Sequence, residues 1–254
     1  MFRLGVQKEL VCKNLRSIHV SSVSGKDLLI KIRRLVSTTL TLSAESSDWR
    51  AAHGVVFFLF LMCALSIPAL RGWPWAWLAA FLGYFVLVAC VPSLRRSLVW
   101  IRAGKVSVAA ISATVVIVLL TSGVLLGYYT QTQPDLRGIR AALPVEALGG
   151  VIMAGVVITI VNATLEELIF RGVLFDALQS QWGVWFTLIA SSVLFGLGHL
   201  EGFPSGPVGA CLAASFGFVM GVLRLWTGGL ALPIIAHMGA DATIYAILFH
   251  SGTV

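Results

Sequence analysis

The sequence predicts an all-α protein, a polytopic membrane helical bundle of about seven transmembrane helices. Two features of composition lead there: 58% of residues are apolar against 11% charged, and the mean hydropathy is +0.92. Soluble domains carry about a quarter charged residues. The third observation is a series of uncharged stretches, each near the roughly 20 residues that a helix needs to cross the hydrocarbon core.

Those stretches run over 51–70, 72–94, 106–134, 147–165, 177–200, 202–223 and 225–240, the last continuing past Asp241 to Phe249. The third is expected to end near Tyr128 and Tyr129, whose rings suit the interfacial belt, as do Trp73, Trp75, Trp77, Trp182, Trp185 and Trp226 near other span ends. Ahead of the first span, residues 1–50 form a basic arm with nine Lys and Arg against four acids. The chain therefore divides into the arm 1–50, transmembrane helices over 51–145, and a core over 146–250 that holds the candidate chemistry.

The net charge of +7 does not point to nucleic acid, because short cytoplasmic segments beside membrane spans carry excess Lys and Arg. The loop 95–105 has four more basic residues and fits the same side. The amino terminus is thus expected in the cytoplasm and the carboxyl terminus outside, with the bilayer, most simply a bacterial inner membrane, as the first partner. The stretch 27–36 suits a short amphipathic helix on anionic headgroups. The arm lacks the order of a signal peptide. Cys12, Cys63, Cys90 and Cys211 are scattered, which predicts neither a disulfide framework nor a Cys-metal cluster.

Charge inside such a segment is costly, about 2.5 to 3.5 kcal/mol per group on insertion scales, and it marks sites of chemistry or transport. The run 162–172 carries three such groups: Glu166, Glu167 and Arg171. Glu167 and Arg171 are four apart with the acid on the amino-terminal side, the favourable helical pairing. Glu166 is turned about 100° away, onto the face of Asn162 and Phe170, and stays available to a water.

Two more polar sites reach the same depth. The polar stretch 179–183 reads as a turn between antiparallel helices; counted from it, Glu166 and His199 lie roughly 21 and 24 Å along. Counted from a second turn at 226–229, His237 and Asp241 lie about 15 and 21 Å along. Phe195 and His199 share a helix face, as do His237 and Asp241. Pro233 is expected to kink the last helix.

The three motifs Glu-Glu-x-x-x-Arg, Phe-x-x-x-His and His-x-x-x-Asp, in this order and each on its own apolar segment, resemble those of the CPBP, or Abi, intramembrane proteases, which include the type II CAAX prenyl endopeptidases. The resemblance covers about 147–249. It implies peptide-bond hydrolysis inside the membrane, on a membrane-associated peptide or protein such as a prenylated CAAX tail or a peptide precursor. Glu166 would act as general base on a water shared with His199, and His237 with Asp241 would face the developing oxyanion. No cofactor is assured. Zinc held by Glu166, His199 and His237 is the metal alternative, and the lack of an HExxH pattern favours the metal-free version. Two other classes stay open: an ion-coupled transporter built on the same polar cluster, and a non-proteolytic membrane partner or immunity-type protein.

Overall fold

The computed structural model describes residues 48–71, 73–137 and 148–250, with backbone alone for 148–151. Cys12, the stretch 27–36 and nearly all of the basic arm lie outside the described residues. The elements are α1 (Asp48–Ser66), α2 (Trp75–Cys90), α3 (Pro92–Ser97), α4 (Val108–Thr132), α5 (Leu148–Glu167), a π-helical turn (Leu168–Leu174), α6 (Phe175–Leu197), α7 (Gly206–Thr227) and α8 (Ala231–His250). Among the described residues there is no strand, so the chain is a helical membrane bundle.

Five helices are long and apolar enough to cross a membrane, and α2 is a shorter apolar one. One of the five runs unbroken in name from Ile152 to Leu197, 46 residues, but it doubles back at Gly183 (φ 78, ψ −179). The Phe195 ring lies 5.0 Å from that of Phe170, whereas a continuous helix would hold residues so spaced about 37 Å apart. The polar stretch 179–183 is therefore the expected reversal, with a positive φ that glycine adopts at no steric cost.

Helix ends follow local chemistry. Ser107 caps α4 by accepting the Ala110 N–H at 3.2 Å, and Gly228 closes α7 in the left-handed conformation with its N–H on the Arg224 carbonyl. α7 runs a turn beyond the expected 202–223, while the last helix ends at His250, one residue past the expected Phe249. Arg224 does not end α7, because its Nε donates to the Arg171 carbonyl and its guanidinium stacks 5.0 Å from the Phe175 ring. Pro233 is only the third residue of α8. In a first turn its missing N–H breaks no intrahelical bond, so the expected kink is not required.

Packing places the site. Phe57, Leu61, Tyr84, Trp100, Ile169 and Val173 share one core between α1, α2 and the π turn. Met220, Leu223, Leu232 and Ala236 join α7 to α8. Small residues set the closest approaches, as bilayer helices require: a Cβ at Gly196 of α6 would fall 2.5 Å from the Ala210 carbonyl of α7. α4 and α8 are linked by the Ser122–Thr243 hydroxyl pair at 2.7 Å. Arg50 of α1 grips the buried Asp176 of α6 with two N–H groups, Nε at 3.0 Å. Leu82, Val108, Leu119, Leu120 and Met153 point outward as the apolar surface a lipid contact needs.

Candidate active site

Glu167 closes α5, and the next seven residues, Leu168–Leu174, wind as a π helix. Such turns are rare and recur at functional sites, where they re-aim side chains. Arg171 lies within this turn and is buried, its Nη1 donating to Glu167 Oε1 at 2.9 Å. Its Nη2 donates to the Gly217 carbonyl of α7 at 3.0 Å, and its Cζ stands 4.5 Å from the centre of the Phe195 ring. The cation is thus held by a carboxylate, a carbonyl and an aromatic face, which offsets the cost of removing it from water.

The same Glu167 oxygen accepts from His237 Nδ1 at 2.8 Å. That bond fixes the imidazole and aims Nε2 elsewhere, the usual means of setting a histidine's tautomer and orientation. Nε2 has Glu166 Oε2 at 3.5 Å and Asp241 Oδ1 at 3.6 Å, both beyond ordinary hydrogen-bond length. Glu166 Oε2 is buried without a hydrogen-bond partner, while the Glu166 side chain as a whole is 25% exposed. Asp241 Oδ2 accepts from Asn162 Nδ2 of α5 at 3.1 Å. The His237 ring is clamped edge-on by Phe195 at 5.8 Å and Phe216 at 5.3 Å.

His199 sits in the turn just past α6, outside the helix itself. Its Nδ1 donates to the Phe195 carbonyl at 2.9 Å and its ring lies 4.6 Å from that of Phe195. His199, His237 and Asp241 line one cavity of about 250 Å3, whose remaining wall is apolar and built largely from α4 and α7, with Leu120, Val124 and Phe216 among the residues. Of the six expected positions, the structure joins Glu167, Arg171 and His237 directly. It sets Glu166 and Asp241 on either side of the free imidazole nitrogen and reaches His199 across the cavity.

Three further contributors were not among the expected site residues: Asn162, the Gly217 carbonyl and Phe216. Asn162 was legible, since it lies four residues before Glu166 on its face. Gly217 and Phe216 carry no local signal, because they matter only through the packing of α7.

Residues 148–243 match the model of the family described as type II CAAX prenyl endopeptidase Rce1-like. The match lies within the expected 147–249 and includes all six residues above. Among relatives, the chain is 30% identical over 128 residues to the "Uncharacterized 24.3 kDa protein" of Escherichia coli, covering 45% of this chain and 56% of that one. It is 34% identical over 83 residues to the "Putative membrane peptidase YdiL" of Bacillus subtilis (strain 168), covering 33% of this chain and 32% of that one. The chain thus spans about half the length of the first relative and a third of the second. No solved structure matches it.

The residues as arranged do not fit a zinc ion. Among the described residues no three His, Cys, Asp or Glu side chains form a group that could hold a metal. With Nδ1 of His237 held by Glu167 and Nδ1 of His199 by the Phe195 carbonyl, Nε2 is the one ring nitrogen that each histidine could offer to a metal.

Proposed function

We propose that this chain is an intramembrane endopeptidase that hydrolyses a peptide bond of a membrane-associated substrate with a water activated by Glu166. The observation that carries the reading is the His237 imidazole, fixed through Nδ1 by Glu167, with Nε2 open between Glu166 and Asp241 at the edge of an apolar cavity. The match of residues 148–243 to the Rce1-like family model supports the same chemistry.

Glu166, whose Oε2 has no hydrogen-bond partner, takes a proton from a water that adds through oxygen to the scissile carbonyl carbon. The carbonyl π electrons move onto oxygen, and the oxyanion receives a hydrogen bond from His237 Nε2–H, while His199, with Nδ1–H on the Phe195 carbonyl, offers its Nε2 as an acceptor that orients the attacking water. With Nδ1–H committed to Glu167, Nε2 donates only in the imidazolium form, whose charge Glu166, Glu167 and Asp241 surround. Glu166 then returns its proton to the amide nitrogen, the C–N bond breaks and the amine leaves. Each of the base and oxyanion contributions is worth about 10²-fold or more.

The apolar wall of the cavity suits an apolar stretch on one side of the scissile bond. A prenylated CAAX-type tail or a lipid-embedded peptide precursor satisfies that chemistry. The basic loop 95–105 supports a cytoplasmic amino terminus, and the relatives above are bacterial, which supports residence in a bacterial inner membrane.

Substitution Glu166→Gln tests the reading. It should lower cleavage of a membrane-anchored quenched peptide at least about 10²-fold and leave the unfolding midpoint in detergent close to that of the wild type. In membranes from cells carrying the variant, an uncut precursor should accumulate. Cleavage at the wild-type rate by Glu166→Gln would overturn the assignment.

A further inference from the structure

The site residues of α5 and α8 are joined by a segment that contains none of them. Between α3 and α4 the backbone at 98–107 is irregular, and it contacts both the π turn that follows Glu167 and the turn that starts the helix of His237. We propose that 98–105 is a clasp that holds Glu167 and His237 in register, with Trp100 and Tyr84 as positioning residues. The proposal rests on the endopeptidase reading for its functional consequence, and the geometry beneath it is independent of that reading.

The first contact is with the π turn. Trp100 is 1% exposed, and its indole lies flat against Gly172, the residue after Arg171: a Cβ on Gly172 would fall 2.5 Å from Trp100 Cε3. The indole has one place to be, because a buried hydrogen-bond chain fixes it. Trp100 Nε1 donates to the Tyr84 hydroxyl at 3.2 Å, and that hydroxyl donates to His53 Nδ1 at 2.8 Å. His53 Nε2–H then donates to Ser97 Oγ at 3.0 Å, and Ser97 donates to the Ser93 carbonyl at 2.9 Å. Ser97 has a second carbonyl acceptor in Leu94 at 3.0 Å, and satisfied buried networks of this kind are rigid.

The second contact is with the turn that starts α8. Leu230 N–H donates to the Arg102 carbonyl at 2.8 Å, Ala231 N–H to the Ala103 carbonyl at 3.1 Å, and Lys105 N–H to the Thr227 carbonyl at 2.7 Å. Gly104 and Gly229 pass backbone to backbone, leaving no room for a side chain between them. Ala231 is the first residue of α8 and stands six before His237. One short segment therefore sets the π turn that carries Arg171 and the origin of the helix that carries His237. A loosened clasp lets the Glu167–His237 bond lengthen, and misplacement of about 1 Å costs about 10²-fold in rate.

The experiment uses the full chain in proteoliposomes with an internally quenched peptide bearing apolar residues on both sides of the scissile bond. Tyr84→Phe keeps the ring and removes the hydroxyl; it should lower kcat about tenfold with KM changed less than about twofold. Gly172→Ala should lower kcat by at least as much, and adding Trp100→Phe to it should recover about threefold or more, because the two act through one contact and are not additive. Hydrogen–deuterium exchange supplies a readout free of catalysis: amides of 168–176 and 231–237 should exchange faster in Tyr84→Phe. If Tyr84→Phe does not fold, the Gly172→Ala and Gly172→Ala/Trp100→Phe pair decides by the same criterion. Wild-type kcat in Tyr84→Phe, multiplicative effects at positions 100 and 172, or unchanged exchange in both segments would overturn the clasp. A wild-type chain that cleaves no better than Glu166→Gln would instead overturn the endopeptidase reading, with exchange still deciding the clasp.

Discussion

His237 Nδ1 and Glu167 Oε1 lie 2.8 Å apart across 70 residues of sequence, and the same carboxylate oxygen receives Arg171 Nη1 at 2.9 Å. One oxygen thus gathers a cation and an imidazole from three places in the fold: the end of α5, the π turn and α8. This separates the paired glutamates by function. Each carboxylate keeps one oxygen without a partner, but Glu167 is fully buried and organises its neighbours through the other, while the open oxygen of Glu166 lies beside Nε2.

That separation predicts different costs for the two acids. Glu167→Ala leaves the Arg171 cation buried without its carboxylate and should destabilise the protein by about 3–5 kcal/mol. Glu166→Gln breaks no hydrogen bond at Oε2 and should cost far less. Thermal unfolding of both variants in the same detergent checks the order; equal losses would show that Glu166 is also part of the structural framework.

Asp241 holds the Asn162 amide through Oδ2 and faces Nε2 through Oδ1. An amide can accept from Asn162 with its own oxygen, so Asp241→Asn should retain cleavage within about tenfold of wild type. Asp241→Ala leaves a gap beside the imidazole and should lose about 10²-fold. A kcat comparison of the two variants decides whether polarity or negative charge is what the position supplies; equal inactivity would mean that the charge is required.

At the α6–α7 contact, Gly196→Ala would press a methyl against the Ala210 carbonyl at 2.5 Å and the Ala214 Cβ at 2.8 Å. Overpacking of this kind costs about 1–3 kcal/mol, and here it also pushes Phe195 off Arg171 and His237. Gly123→Ala on α4 meets nothing within 4 Å and should be neutral or slightly stabilising. Unfolding midpoints of the two variants, with cleavage assayed in parallel, should diverge.

The donor arrangement predicts indifference to chelation. Dialysis against a strong zinc chelator should leave cleavage within about twofold, because in the proposed reaction Glu166 rather than a metal activates the water. Activity that is lost on chelation and restored by added zinc would require Glu166, His199 and His237 to rearrange around the ion.

Much of this site was legible in the residues. The spacing of Glu167 and Arg171 announces their pairing, the polar stretch ending in Gly183 announces the reversal, and similar distances from two turns bring Asp241 to the level of Glu166. What could not be read depends on neighbours distant in sequence. The stretch Leu168–Leu174 has no composition that separates π from α winding; its form accompanies the Trp100 ring on Gly172 and the Arg171 bond to the Gly217 carbonyl. The ends of α7 were misjudged because Arg224 looks like a helix boundary until its partners, the Arg171 carbonyl and the Phe175 ring, are known. His199 was expected in a helix and lies in the following turn, a shift within the usual uncertainty of helix ends.

Because Glu167 finds its counter-ion one turn onward in its own polypeptide stretch, the Glu167–Arg171 couple can enter the lipid during biosynthesis as a nearly neutral unit, which leaves Glu166 as the acid of that run without a counter-ion. His237, made 66 residues after Arg171, need not be present for the translocon to release it. An unpaired acid would face an insertion penalty of several kcal/mol at that moment. The order of synthesis therefore matches the order of charge compensation: the acid–guanidinium couple is completed first, and the imidazole docks onto an anion already stabilised.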